Sequence, residues 1–522
     1  MAKELSAFAA DFLGSIQVEP IIVAQTDPSD GSRPQVILPS LANRHGCITG
    51  ATGTGKTVSL QCLAEQFSRI GVPVFMADVK GDLTGIAAQG AMSDKLKKRL
   101  DSHGMPTPVF GANPVTLWDV FGEQGHPVRA TVSSMGPLLL STLLALNDTQ
   151  SGVLTAAFKF AADKQMPIVD LKDLQDLLTF IGENARQFKL DYGNISAATI
   201  GAIQRGLLKL LTQGADKFFG EPALDIDDLM QTVDGKGVVN ILAADKLIAN
   251  PALYATFLMW ILTEIYNRMP EVGDLEKPKF VFFFDEAHML FDNCSKEVTE
   301  KVEQVVRLIR SKGVGIYFVT QSPLDIPEVI LGQLGHRVQH ALRAYTPRDQ
   351  RAVKTVAETM RPNPKLDVAR VIQDLGVGEA LVSFLDEKGR PTMTERVWMC
   401  TPGSRLGPVN EQERAALIRN SLVAGVYDKT VNQRSATEMI GEARQKQEQV
   451  KAEEEARKQQ EKSSGGGLDE FLFGSEGPRG GRRDGLVQSV AKSVVRTQTR
   501  RVVNKGLEGL VKGIFGMFTK GR

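Results

Sequence analysis

Hydrophobic positions along the chain follow two rhythms. Short apolar runs bounded by glycine or charge recur at Cys47-Ile48-Thr49, at residues 237–242, 279–284, 315–320 and 337–342, with the length and composition of strands buried on both faces. Between them the apolar residues space out to a helical period, as in Val58, Leu60, Cys62, Leu63, Phe67 and Ile70, and again over residues 251–267. Residues 378–383 and 396–400, joined through Asp386-Glu387-Lys388-Gly389, read as a hairpin. Strands alternating with helices predict an α/β fold, a mainly parallel sheet between helices.

The rhythm changes between residues 91 and 230, where the helical period dominates, over 151–164, 171–181 and 197–211 among others. The chain therefore divides into an N-terminal extension (1–35), a first core part (36–90), a mainly helical insertion (91–230) and a second core part (231–408). Lys159, Lys164, Lys172, Arg186, Lys189, Arg205, Lys209 and Lys217 of the insertion suit a pore lining and a solvated surface equally.

Beyond 408 the composition shifts again. A charged helical segment (409–462) leads through Ser463-Ser464-Gly465-Gly466-Gly467 into a flexible linker (463–485). The last segment, 486–522, carries eight Lys or Arg against the single acid Glu508, interleaved with Val490, Val494, Leu507, Leu510, Phe515 and Phe518. It reads either as a tethered basic amphipathic helix for an anionic membrane, nucleic acid or acidic protein, or as a disordered tail that folds on contact, since Gly506, Gly509, Gly513 and Gly516 weaken its helicity.

Length and charge add bounds. A chain of 522 residues with 42% hydrophobic content supports two or three structural units. A net charge of +1 gives no global case for nucleic acid, so any basic surface is local. Four cysteines without C-x-x-C spacing suit a reducing compartment and argue against a structural metal site. The apolar stretches 135–146 and 254–266 are too short or interrupted to span a bilayer, and Lys3, Glu4 and Asp11 spoil a signal peptide, so cytoplasmic residence is expected.

The chemistry concentrates at two places. Gly50-Ala51-Thr52-Gly53-Thr54-Gly55-Lys56-Thr57 fits G-x-x-x-x-G-K-[ST] throughout: glycines let the backbone turn its N–H groups toward a triphosphate, Lys56 reaches the β/γ oxygens and Thr57 ligates Mg²⁺. With a strand before it and a helix from Val58 after it, the phosphates lie at a helix N-terminus, and the expected ligand is ATP or GTP with Mg²⁺. The second place is Asp285-Glu286, directly after Phe280-Val281-Phe282-Phe283-Phe284. Asp285 is expected to hold the metal through water, and Glu286 to act as general base on the attacking water. Asp285-Glu286-Ala287-His288 also spells the D-E-A-H of superfamily 2 helicases, but the Ser-Ala-Thr and arginine-rich motifs of those enzymes are not visible, so His288 reads as a local hydrogen-bonding residue.

Four pieces together resemble the HerA–FtsK branch of RecA-like P-loop ATPases, specifically the HerA-like NTPases of bacteria. They are the phosphate loop preceded by Leu38-Pro39-Ser40-Leu41-Ala42-Asn43-Arg44-His45, the Ala77-Asp78-Val79-Lys80-Gly81-Asp82 element, the Phe284-to-His288 strand end, and Arg307-Leu308-Ile309-Arg310-Ser311-Lys312-Gly313 leading to a strand that ends at Gln321. The resemblance implies a RecA-like core and ATP hydrolysis. It gives Gln321 the part of sensing the γ-phosphate, Arg44 an auxiliary contact in the nucleotide pocket, and Arg310, or else Arg307, a reach to the γ-phosphate of a neighbouring subunit. It further implies a homo-oligomer, a hexamer by family likeness, that moves or remodels double-stranded DNA. A nucleotide-gated scaffold or membrane-associated switch and a polypeptide-export motor are the competing readings. HerA proteins carry an N-terminal β-barrel of roughly a hundred residues, whereas about 35 residues precede the core in this sequence, so the resemblance does not carry across functions of that barrel, docking of a partner nuclease included.

Overall fold

The computed structural model describes residues 18–292, 296–431 and 434–464. The basic segment 486–522, the linker from 465 onward and residues 1–17 of the N-terminal extension lie outside the described residues. The described residues form two compact units, one within residues 18–147 and 206–431, the other within 148–205 and 434–464.

The first unit is organised by a 12-stranded sheet. Its strands are β1 (Ile21–Thr26), β2 (Pro34–Ile37), β3 (Gly46–Thr49), β4 (Val74–Asp78), β5 (Val115–Asp119), β6 (His126–Pro127), β9 (Val239–Ala243), β10 (Phe280–Phe284), β11 (Val314–Thr320), β12 (His336–Gln339), β13 (Glu379–Ser383) and β14 (Glu395–Met399); β7 (Thr232–Val233) and β8 (Lys236–Gly237) make a separate hairpin. The order across the sheet is β2-β1-β14-β13-β12-β3-β11-β10-β4-β9-β5-β6. Neighbours from β12 to β6 run parallel, as in Phe318 beside Cys47 and Phe282 beside Phe75, whereas the β12–β13, β13–β14, β14–β1 and β1–β2 pairs are antiparallel. This is a RecA-like P-loop core extended by an antiparallel flank.

Period-two alternation in β10 sorts its side chains onto the two faces. Val281 and Phe283 join Val74, Met76, Tyr317 and Val319 against Leu60, Leu63, Ala64 and Phe67 of the helix Lys56–Arg69. Phe282 stacks on Phe75 with ring centroids 4.7 Å apart, and Phe284 on Phe318 at 5.3 Å. Fully burying each such ring is worth roughly 1.5–3 kcal/mol, so both faces of the central strands hold the sheet between layers. Gly46 opens β3 because no side chain fits there: a Cβ would lie 2.6 Å from the Tyr317 ring and 2.8 Å from the His336 carbonyl.

Two expectations about boundaries meet a different arrangement. Residues of the N-terminal extension form β1, which pairs with β14 and so belongs to the main sheet. Within the stretch read as a helical insertion, β5 pairs in parallel with β9 over five residues and β6 adds the outer edge. Val115-Thr116-Leu117-Trp118-Asp119 alternates weakly and is short, so a single sheet strand hid between helical signals.

The second unit is helical. Leu171–Glu183 begins with a reciprocal capping box between Asp170 and Asp173 and buries Leu171, Leu174, Leu177, Leu178 and Ile181 along one stripe. Phe160, Phe180 and Phe188 pack with centroids as close as 4.7 Å. The helix Ala436–Ser464 joins them at its start, where Ala436 N donates to Pro167 O (2.8 Å) and Thr437 N to the Asp173 carboxylate (3.0 Å).

Candidate functional site

The loop 50–55 leaves β3 and becomes the helix Lys56–Arg69. Three of its glycines adopt positive φ, +153° at Gly50, +78° at Gly53 and +115° at Gly55. The first of these has a second reason to be glycine, because a Cβ there would stand 2.5 Å from the Cβ of His340. Neighbouring strands hold the loop: Ala51 N donates to Ala341 O (2.8 Å), and Gly378 N donates to Thr54 O (2.9 Å). Beneath it His340 is fully buried, its Nδ1–H donating to Glu379 O (2.9 Å) while Nε2 accepts from the Ser59 hydroxyl (3.0 Å).

Lys56 is itself buried and folds back on the loop, Nζ donating to Gly50 O (2.5 Å) and Ala51 O (3.1 Å). Burial holds its ammonium below the ordinary lysine range, and the carboxylate of Glu286 opposes that shift. Thr57, Val58, Thr52 and Thr54 complete the first turn and the loop, with Thr54 Oγ1 donating to Ala51 O (2.7 Å).

Strand order brings the acids to this loop. Only β11 separates β3 from β10, so the C-terminal ends of the two strands lie about 10 Å apart, with Gln321 leaving β11 between them. Glu286 stands at φ +48° with its side chain turned inward, 3.2 Å from Lys80 Nζ and 3.4 Å from His288 Nδ1, and it accepts from Gln321 Nε2 at 3.4 Å. Asp285 accepts from the Glu286 N–H (3.0 Å), and the Tyr254 hydroxyl donates to the Asp285 carbonyl (3.0 Å). Burial and the charge of Glu286 push the Asp285 carboxyl up to about 7. One strand further, burial pushes Asp78 up to about 6 despite N–H donors from Asp82 and Leu83 (3.1 and 3.0 Å).

The donor set fits a magnesium nucleotide. Among the described residues no cluster of three or more His, Cys, Asp or Glu forms a protein cage for a metal. Magnesium instead takes one or two protein oxygens together with phosphate and water, for which Thr57 and Asp285 are suited.

Arg44, Arg307 and Arg310 are not brought to this site. Arg44 precedes β3 and Arg310 precedes β11, at the ends of those strands remote from the loop. The run through β3 from Arg44 to Gly50 covers on the order of 15 Å. The auxiliary contact expected of Arg44 is therefore not made to its own chain's phosphate loop. With Arg337 and Arg361 the three line a cavity of about 860 Å³. No carboxylate among the described residues lies within ion-pair distance of these three. Burial and the nearby Arg44 charge hold Arg310 below the usual arginine range.

The family profile described as Helicase HerA-like C-terminal matches residues 24–522. The chain belongs to this HerA-like family. Its similarity to characterised sequences is local: it is 29% identical over 147 residues to the DNA double-strand break repair helicase HerA of Sulfolobus acidocaldarius, and 26% over 154 residues to a probable helicase of Methanocaldococcus jannaschii. Each alignment takes in 28% of this chain and 28% of the relative, so the match spans little more than a quarter of the curated relatives' length. Among solved structures, the plasmid coupling protein TrwB bound to a non-hydrolysable ATP analogue gives a TM-score of 0.48 at 13% identity, covering 75% of this chain and 98% of that one. VirB4 of Thermoanaerobacter pseudethanolicus gives 0.46 at 15% identity, covering 74% and 98%.

Residues that the motifs left without a role stand beside the phosphate loop and the carboxylates. Lys80 pairs with Glu286, and His340 and Gly378 support the loop from below and beside. The Asp78-to-Asp82 motif marked the position of Lys80 but not its partner, and His340 carried no signal beyond a polar residue at the end of an apolar run.

Proposed function

We propose that this chain is an ATP-hydrolysing motor of the HerA type, working as a homo-oligomeric ring that translocates or remodels double-stranded DNA in the cytoplasm. The carrying observation is an incomplete site: phosphate loop, Asp285, Glu286 and Gln321 converge in one chain, while Arg307 and Arg310, without an ion pair among the described residues, precede β11 at the far end of the sheet. A second copy presenting its arginine edge to this loop would complete the charge set.

In this reading the N–H groups of residues 51–57 and Lys56 bind the triphosphate. Lys56 must leave the carbonyls of Gly50 and Ala51 to reach the β/γ oxygens. Thr57 and Asp285 hold Mg²⁺, which supplies charge neutralisation at the phosphates. Glu286 takes the proton of the attacking water, and to do so it exchanges the Lys80 contact for that water. Gln321, already touching Glu286, orients the water against the terminal phosphate. Arg310, with Arg307 beside it, neutralises charge from the adjoining subunit. No described helix is long and apolar enough to cross a membrane.

ATP turnover measured with and without duplex DNA, at two salt concentrations and with mass determination plus and minus nucleotide, tests this. Stimulation that weakens with salt, in a multimer, is the expected result. Turnover indifferent to DNA would favour the nucleotide-gated scaffold instead.

A further inference from the structure

Glu286 is held by several contacts, but Gln321 is not. Its side chain is exposed and makes one hydrogen bond among the described residues, the long 3.4 Å contact to Glu286. A side chain held so loosely takes its direction from its own backbone, at the point where β11 ends and the chain turns. One carboxylate grips that turn on both sides. Asp325 Oδ2 accepts from the Thr320 hydroxyl (2.7 Å) before Gln321 and from the Ser322 N–H (3.0 Å) after it. The other oxygen, Oδ1, accepts from Arg348 (3.0 Å), which belongs to the helix Pro347–Thr359 beyond β12.

From this we infer that Asp325, oriented by Arg348, is the positioning residue that aims Gln321 at the water Glu286 activates. The inference rests on the reading that Gln321 orients that water. Asp325 also closes a reciprocal capping box with Ser322 at the turn Pro323–Asp325, but a cap needs only the Ser322 contact. The bonds to Thr320 and Arg348 go beyond it, and they divide the work between the two oxygens. Thr320 is fully buried and the Asp325 side chain is 10% exposed, so their bond forms away from competing water.

Arg348 is different: its side chain is 65% exposed, and an ion pair with so exposed a partner adds little to stability. What it fixes is rotation. With Oδ1 engaged by the guanidinium, Oδ2 stays turned toward Thr320 and Ser322. The location agrees with a part in the reaction, because Asp325 and Arg348 line the same polar cleft of about 500 Å³ as Ala51 and Thr52 at the tip of the phosphate loop, with His288 and Gln321. Hydrolysis requires the terminal phosphate near Glu286, hence in this cleft. There the guanidinium also offsets a carboxylate charge that would oppose the incoming phosphate.

A double-mutant cycle on the full chain tests the assignment, reading single-turnover ATP hydrolysis and, by calorimetry, ATP affinity. Asp325→Asn keeps the shape and the acceptor for Thr320 but removes the charge that holds Arg348. Asp325→Asn and Arg348→Ala are each expected to slow hydrolysis roughly 10-fold or more, as misplacement of a water-orienting group implies, with ATP affinity within about 2-fold of parental. In a Gln321→Ala background the same two substitutions should change the rate by less than about 2-fold, because their effect is routed through Gln321. Thr320→Val, which deletes one donor from the buried side, should behave in the same way and carries the comparison if Asp325→Asn fails to fold. Losses of equal size in both backgrounds, parental rates in the single variants, or ATP affinity weakened as much as the rate each overturn the positioning role while leaving Gln321 in place. A Gln321→Ala protein that hydrolyses ATP at the parental rate overturns the role of Gln321 itself, and this inference with it.

Discussion

His340 makes the support of the phosphate loop sensitive to acid, and the size of the effect follows from its surroundings. Burial, offset in part by the bond to Glu379 and reinforced by Lys56 and Arg99, draws the ring from its ordinary 6.5 down to about 4. In the unfolded chain the same imidazole takes up a proton below 6.5, whereas in the fold it stays neutral until about 4. The unfolded state therefore binds the extra proton throughout that window, and stability present above pH 6.5 is lost as pH falls toward 4. A gap of about 2.5 pH units corresponds to about 3 kcal/mol. His45 and His336, also drawn to about 4 by burial, act in the same direction. Asp285 and Asp78, raised by burial, act in the opposite one, so total stability against pH does not isolate His340. His340→Gln does: glutamine keeps an amide donor for Glu379 O and an acceptor for Ser59 but does not titrate. All three tryptophans, Trp118, Trp260 and Trp398, lie in the unit that contains His340, so urea unfolding followed by tryptophan fluorescence reports that unit. Between pH 7 and pH 4.5, which covers about 2 of those 2.5 pH units, the parental protein should lose about 2.4 kcal/mol more than His340→Gln. Parallel losses in the two proteins would refute the reasoning.

Two further outcomes are expected. Gly50→Ala forces a Cβ to 2.5 Å from that of His340 at a φ of +153°, which should cost on the order of 1–3 kcal/mol in stability and abolish ATP binding, read by denaturant titration and calorimetry. Arg310→Ala and Glu286→Gln should each hydrolyse ATP slowly alone, since a finger supplied by a neighbour is typically worth about 10³–10⁵ in rate, and mixing the two should restore turnover by pairing an intact Glu286 with an intact Arg310. Parental activity in both Arg310→Ala and Arg307→Ala would rule out the shared site.

The chemistry was more legible in the sequence than the architecture around it. Gly50 to Thr57 and the Phe280-to-Glu286 strand are local patterns, because a loop that wraps phosphate and a strand buried on both faces each dictate their own residues. Relations between distant segments were not legible. Nothing local tells that Lys80 meets Glu286 across 206 positions, that Gly378 closes on Thr54, or that Arg44 stands at the wrong end of β3 to touch its own loop. Those follow from strand order, which periodicity does not encode. β5 was missed for a related reason: five residues of sheet between helices look like a turn with apolar neighbours, and only pairing with β9 makes them a strand.

The pairing of β1 with β14 has a consequence for how the molecule is made. The N-terminal strand, finished at Thr26, finds its partner only when Val397 to Met399 have been synthesised, and β3 meets β11 and β12 only after residues 314–339. At about 5–20 residues per second, roughly 20 to 70 s separate emergence of β1 from emergence of β14. For that interval the β1–β2 hairpin is a nascent-chain segment with an open edge, a target for chaperones or for wrong pairing on a crowded polysome. The same geometry makes ATP binding a late event in biogenesis: a chain stalled before β11 carries the whole phosphate-loop sequence and has no sheet to hold it in shape.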